Sequence, residues 1–185
     1  MTAIISDCGL YRYRLDRKLS DDHGPTVAFI MVNPSTADAT QDDPTIRKCI
    51  GFAKLYHAER LVVGNKFAYR ATDVKELRKA ADPIGPENDK HLHDILYDAD
   101  LVFVAWGSLA KLPENLRTRW HAVVRIADSI RLTGACDLLA LGKCGDGHPR
   151  HPLMTGYDTP GLKWPVPWFR HRQSPQATTG DRQDG

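Results

Sequence analysis

Short apolar runs alternate along the chain with segments whose apolar residues recur three and four apart, so strands and helices are expected to follow one another. Leu10-Tyr11-Arg12-Tyr13-Arg14-Leu15 alternates apolar and charged residues, the period-two pattern of a half-buried strand. Asp21-Asp22-His23-Gly24-Pro25 reads as a turn. Val27-Ala28-Phe29-Ile30-Met31-Val32 is continuously apolar, as a strand buried on both faces would be. From Pro44 the period becomes helical: Ile46, Cys49, Ile50 and Ala53 share one side, and Arg47, Lys48 and Lys54 take the other. Asp43 before Pro44 is the expected N-cap, with proline at the first helical position.

Leu61-Val62-Val63 predicts a second buried strand ending near Asn65, and Leu101 to Trp106 a third, stopped by Gly107. Leu138-Leu139-Ala140-Leu141 predicts a fourth, closed by Gly142. Between them, Asp73 opens a short helix, Pro86 to Tyr97 predicts another, and Pro113 to Leu132 a long amphipathic one with Leu116, Trp120, Val123, Val124, Ala127 and Ile130 on its apolar side. These elements predict an α/β fold of three αβα layers. Its centre is a mainly parallel four-stranded sheet, extended by one or more extra N-terminal strands. A single domain is expected over residues 1–172, and Gln173 to Gly185, polar and aperiodic, reads as a disordered tail.

Bulk properties change this picture little. The 185 residues suit one domain with a well-buried core, at 42% hydrophobic and 26% charged. A formal charge of +2 excludes a strongly basic protein that coats nucleic acid, though not a local basic groove. No apolar run approaches the roughly 18 residues of a membrane span, so no membrane partner is expected. The N-terminal stretch Met1 to Cys8 lacks the basic and apolar regions of a signal peptide, so the expected location is the cytoplasm. There Cys8, Cys49, Cys136 and Cys144 should be reduced thiols. Cys144, His148 and His151 lie close together but without standard zinc or iron–sulfur spacing, so neither metal nor cofactor is expected.

In sheets of this kind the ligand sits outside the carboxyl ends of the strands. That rule gathers the loops beginning at Asn33, Asn65, Gly107 and Gly142 around one crevice. In the first, Asn33 can orient a water through its amide, Ser35 lines the pocket floor, and Asp38, Asp42 and Asp43 follow; the structural alternative is turns and, for Asp43, a cap. In the second, the amide of Asn65 offers the donor and acceptor that suit a base edge, or else ties two loops together. Arg70 behind it either holds a phosphate or pairs with an acid. The fourth loop runs from Gly142 to Met154 and holds two His-Pro dipeptides, with His151 poised for electrostatic work. Lys143 and Arg150 add positive charge, and Leu153 and Met154 are apolar residues suited to wedge into base stacking.

Asn33-Pro34, then Asn65, then His151-Pro152-Leu153-Met154 resemble, in the same order, the strand-ending motif, second-strand asparagine and late His-Pro loop of the uracil-DNA glycosylase superfamily. Val104-Ala105-Trp106-Gly107 looks like its third strand. Over roughly residues 10 to 170, Asn-Pro-Ser-Thr-Ala-Asp, Asp-Asp-Pro-Thr-Ile-Arg, Pro-Ile-Gly-Pro-Glu-Asn-Asp and Pro-Arg-His-Pro-Leu are similar to a bacterial and phage family known as a domain of unknown function.

The superfamily resemblance implies N-glycosidic bond cleavage on a nucleotide flipped out of DNA. Asn33 would position water and His151 would stabilise charge on the leaving base. Asn65 would read the base, with Ser35, Asp38 and Asp43 around it. Leu153 or Met154 would fill the gap in the duplex, and Lys143, Arg150 and Arg70 would hold DNA. Two departures matter. The strictest uracil enzymes have aspartate where this chain has Asn33, so a second acid is needed, Asp42 ahead of Asp38 and Asp43. They also have a bulky aromatic where this chain has Ser35, which opens the pocket to a pyrimidine substituted at position five. The expected substrate is therefore modified DNA, phage DNA included, handled by a monomer. Two alternatives carry their own signatures: an enzyme of free nucleotides or nucleosides, which needs no wedge, and an inactive nucleic-acid-binding module.

Overall fold

Every residue from Thr26 to Met31 is buried, because this strand occupies the middle of a sheet with helices on both faces. The computed structural model describes residues 1–35, 37–131 and 137–164. Among them seven strands form the sheet: β1 (Thr2–Ile5), β2 (Arg12–Lys18), β3 (Thr26–Met31), β4 (Arg60–Asn65), β5 (Leu101–Val104), β6 (Leu138–Ala140) and β7 (Leu162–Lys163). Their order is β1-β2-β4-β3-β5-β6-β7. Parallel pairing links β4 to β3, β3 to β5 and β5 to β6, so that Phe29 stands opposite both Val63 and Phe103. The β1–β2, β2–β4 and β6–β7 pairs are antiparallel.

The sheet is thus mixed and seven-stranded: the four predicted strands β4, β3, β5 and β6 pair in parallel at its centre, and antiparallel strands extend it, β1 and β2 at one margin and β7, which the sequence pattern lacks, at the other. The two outermost strands have a common physical character. β1 alternates exposed and half-buried residues, and β7 is two exposed residues long. Both are held by backbone pairing at the margins of the sheet, which leaves no apolar run to see.

Side chains alternate across β3, and the alternation assigns the helices. Val27, Phe29 and Met31 face α1 (Pro44–Leu55), which buries Ile46, Cys49, Phe52 and Ala53. Ala28 and Ile30 face α2 (Asn88–Asp98) and α3 (Trp120–Arg131). α2 can lie against β4 because residue 64 is glycine. A Cβ there would stand 2.9 Å from Ile95 Cδ1 and 3.2 Å from both Ile30 Cδ1 and Leu92 Cδ2. Two predicted helices are tighter than expected. Asp73 opens a 3₁₀ turn, Val74–Lys79, its carboxylate accepting from Lys75 N–H at 2.9 Å. The predicted Pro113–Leu132 helix begins as the 3₁₀ turn Glu114–Arg119 and becomes α-helical at Trp120. Leu132, the limit placed at residue 172 and the tail over 173–185 lie outside the described residues. Among the described residues no helix is long and apolar enough to cross a membrane.

A polar layer lies where β4 ends. Asn88 Nδ2 donates to the carbonyls of Asn65 and Lys66, and Arg119 Nε donates to the Lys66 carbonyl at 2.9 Å. The Lys66 side chain is fully buried, its Nζ has no hydrogen-bond partner among the described residues, and it stands 5.0 Å from the centroid of the Trp106 ring. Burial, with repulsion from Arg119 added, pushes the Lys66 ammonium down to about 7. The folded state therefore holds fewer protons than the unfolded one between about pH 7 and the ordinary lysine range, and Lys66 costs most at and below pH 7. Lys66→Met should accordingly stabilise the fold by roughly 1–4 kcal/mol at pH 7. Denaturant unfolding should show that gain shrinking steadily as pH rises from 7 toward 10.

Candidate functional site

The loops that leave the carboxyl ends of β3, β4, β5 and β6 meet at one end of the sheet and enclose a cleft of about 970 Å³. That volume is at the upper end for a small-molecule pocket and would hold a nucleotide. Asn33, Ser35 and Asp43 come to it from the first loop, Ala71 to Val74 from the second, and Trp106, Gly107, Ser108 and Lys111 from the third. The fourth gives Cys144, Arg150, His151, Leu153 and Met154, and β2 sends in Arg12.

Backbone and side-chain ties hold these loops to one another. Asn33 Nδ2 donates to the carbonyl of Ala71 at 2.7 Å, and Ala71 N–H donates to the carbonyl of Pro34 at 3.0 Å. Nothing described donates to Asn33 Oδ1, which leaves it as an acceptor. Gly107 takes φ +74°, a conformation that favours glycine, and its N–H donates to the Pro149 carbonyl at 2.8 Å. Asp146 joins the same two loops by accepting from Ser108 Oγ at 2.7 Å, Leu109 N–H at 2.8 Å and His148 N–H at 3.2 Å.

His151 caps the 3₁₀ turn Pro152–Met154, its Nδ1 accepting from Leu153 N–H at 3.4 Å. The neutral ring then carries its proton on Nε2. Burial pushes the imidazolium down, Lys111 adds to this and Asp43 opposes it, so the ring is a neutral donor at pH 7. Burial raises the Cys144 thiol, so Cys144 is not an activated nucleophile. Trp106 forms an aromatic wall, its Nε1–H donating to His148 Nδ1 at 3.4 Å. Among the described residues no group of three or more His, Cys, Asp and Glu is placed to hold a metal.

Of the predicted site residues, Asn33, Ser35, Asp43, Arg150, His151, Leu153 and Met154 come together here. The others lie elsewhere. Asp42 sits outside the cleft, 2.8 Å from both Nε and Nη2 of the buried Arg17. Asp38 holds a turn by accepting from Thr40 and Gln41. Asn65 is 1% exposed and does not line the cleft, because β4 is buried on both faces from Leu61 to Asn65. Lys143 is bridged to Pro149, and its carbonyl accepts from Arg150 Nε. Arg70 donates to the Gly9 carbonyl in a smaller groove beside the cleft.

Sequence reasoning missed Arg12, Trp106, Ser108, Lys111 and Cys144. For Trp106 a signal existed: a large aromatic at a strand end, directly before glycine. Arg12 had the opposite signal, because simple alternation assigns it to solvent. The β1–β2 register shifts between Ile4 and Ile5, and Arg12 is buried.

The placement of Asp42 makes a prediction. Asp42→Asn would leave Arg17 with hydrogen-bond acceptors, the amide oxygen and the Asp16 and Asp38 carbonyls, but buried without its counter-charge. It should lower stability by about 3 kcal/mol, the low end for breaking a buried pair. Urea denaturation measures this, and any activity should persist in the folded fraction.

No curated protein and no solved structure matches the chain significantly. A family model does match, over residues 12–153, a span that contains all four loops and every cleft residue named above except Met154. The chain belongs to the family described as protein of unknown function (DUF1643).

Proposed function

We propose that the chain is a DNA glycosylase that hydrolyses the N-glycosidic bond of a flipped-out pyrimidine substituted at position five. The observation that carries this reading is the presence of Asn33, Asp43, Ser35 and His151 in one cleft of nucleotide size, walled by Trp106. It also draws on the motif order that resembles the uracil-DNA glycosylase superfamily. In this reading the base lies in the cleft beside the buried edge of Trp106 while the C1′–N bond breaks, its electron pair passing to the base. His151, neutral and protonated on Nε2, donates to the oxygen on which that charge gathers. A water held by Asn33 Oδ1 attacks C1′ and gives its proton to Asp43. The amide of Asn33 cannot take that proton.

Asp43 replaces Asp42 as the assisting acid, because it lines the cleft. Its Oδ1 already accepts from Ile46 N–H at 2.9 Å, which orients the carboxylate. Ser35 supports an enlarged base, since its small side chain leaves room where a bulky aromatic would not. Leu153 is 49% and Met154 73% exposed at the cleft, as residues that replace a flipped base in a duplex should be. Excision of such bases suits defence against phages with modified DNA.

The test is to incubate the protein with duplexes containing uracil, 5-hydroxymethylpyrimidines or 5-glucosylated pyrimidines, and then to cleave abasic sites with alkali. Strand breaks are expected at a 5-substituted base. Asp43→Asn and His151→Gln should each lower the single-turnover rate by roughly 10²-fold or more, with Asp42→Asn near wild type. Rapid release of plain uracil with no break at any substituted base would contradict the open-pocket argument.

A further inference from the structure

The cleft contains a buried cation that the proposed chemistry leaves unused. Arg12 is 2% exposed, yet it lines the cleft. Its Nη1 donates to the Ala37 carbonyl, while Nε is buried without an acceptor and Nη2 has none among the described residues. The contrast with Arg17 is direct. That arginine is equally buried, but it is paired with Asp42 at 2.8 Å and bonded to two carbonyls. Asp43 and Asp38 act on Arg12 from a distance, but among the described residues neither pairs with it. A guanidinium taken out of water without a direct partner is costly unless an anion completes its bonding.

The surroundings of Arg12 favour such an anion. The cleft is lined by three fixed cations, Arg12, Lys111 and Arg150, against two carboxylates, Asp43 and Asp73. Pro44 and Thr45, the first residues of α1, line it too. Pro44 has no N–H, Ile46 N–H donates to the Asp43 side chain, and Arg47 N–H donates to the Asp43 carbonyl. Thr45 N–H therefore stands unclaimed among the described residues, at the positive end of a 12-residue helix. Beside Arg12, past Ser35, Ala71 and Thr72, the smaller groove continues to Arg70.

We propose that the Arg12 guanidinium and the Thr45 N–H at the start of α1 form a phosphate subsite, which seats a phosphate of the nucleotide whose base enters the cleft. The forked donors of arginine match two phosphate oxygens, and the helix amide supplies a third bond. The groove toward Arg70, which Glu76 also lines, gives the next phosphate of a strand its path on the arginine side. The proposal rests on the cleft being a nucleotide pocket, but it needs no bond to break there.

Titrating the full chain with inorganic phosphate, followed by ³¹P NMR, should show one saturable site. Arg12→Met should weaken it roughly tenfold or more, and Arg12→Lys less. Thr45→Pro removes the helix amide at a position that tolerates proline, and should weaken binding several-fold. That variant serves if Arg12→Met fails to fold. Calorimetry with 2′-deoxycytidine, its 5′-monophosphate and a short oligodeoxynucleotide without terminal phosphate identifies the source of the phosphate. Tightest binding by the oligodeoxynucleotide assigns the subsite to a DNA strand, and tightest binding by the monophosphate to a free nucleotide. The proposal is overturned if phosphate shows no saturable binding, if Arg12→Met or Thr45→Pro binds it as well as wild type, or if the nucleoside binds as tightly as both phosphate-bearing ligands. Phosphate binding at Arg12 with no base released would sink the glycosylase reading alone. Base release without phosphate binding would sink the subsite alone.

Discussion

The parallel pairing of β3 with β4 on one side and β5 on the other is the constraint on which the cleft depends. Parallel strands end at the same edge, so their following loops must share one end of the molecule. The registers continue that alignment: Met31 stands opposite Asn65, and Ile30 opposite Val104. Backbone bonds extend it beyond the strands, with Lys66 N–H donating to the Met31 carbonyl, Phe67 N–H to the Val32 carbonyl and Ala105 N–H to the Ile30 carbonyl. Asn33 therefore starts its loop from a fixed point. His151 reaches the same cleft because Gly107 N–H holds the fourth loop through Pro149. A slip of one residue in either pairing would exchange the side chains packed against α1 with those packed against α2 and α3, and would displace the loops.

Three buried cations show how the fold handles charge. Arg17 is neutralised by Asp42, and the pair fastens β2 to the loop before α1. Lys66 rests over the Trp106 ring and sheds its proton readily. Arg12, also fully buried, is pushed down by burial to about 10 and still carries its charge at neutral pH. It has no ion-pair partner among the described residues, and it is the cation that lines the cleft. One of these charges is neutralised by a carboxylate, one is readily given up, and the one retained without an ion pair among the described residues stands where a ligand would sit.

Much of the frame was legible in the sequence. The apolar run at Val27–Val32, the helical spacing from Ile46 to Ala53 and the Asp43–Pro44 cap each follow from local chemistry; the run appears as the strand Thr26–Met31, and the helix and its cap where the pattern put them. The crevice rule then brought Asn33, Ser35 and His151 to one place. What escaped depends on partners distant in sequence. Asp38 and Asp42 are equivalent acids in a string of letters, and the legible cap at Asp43 does not tell that its carboxylate also faces the cleft. Only the reach of Arg17 and the start of α1 separate a turn, an ion pair and a cleft carboxylate. Asn65 was expected at a base edge because it ends a strand, but β4 is covered on both faces and Asn65 is buried with the rest of it. β1 and β7 leave no pattern because their stabilisation is backbone pairing.

The central claim is that the four loop ends form one ligand-binding site. Amide chemical-shift mapping of the ¹⁵N-labelled chain, titrated with a short oligodeoxynucleotide, tests it most directly. The largest shifts are expected at Ser35, Thr45, Ala71, Gly107 and His151, saturating together at one affinity. Shifts confined to the exposed face of α2 or to β1, with those five amides unmoved, would contradict it.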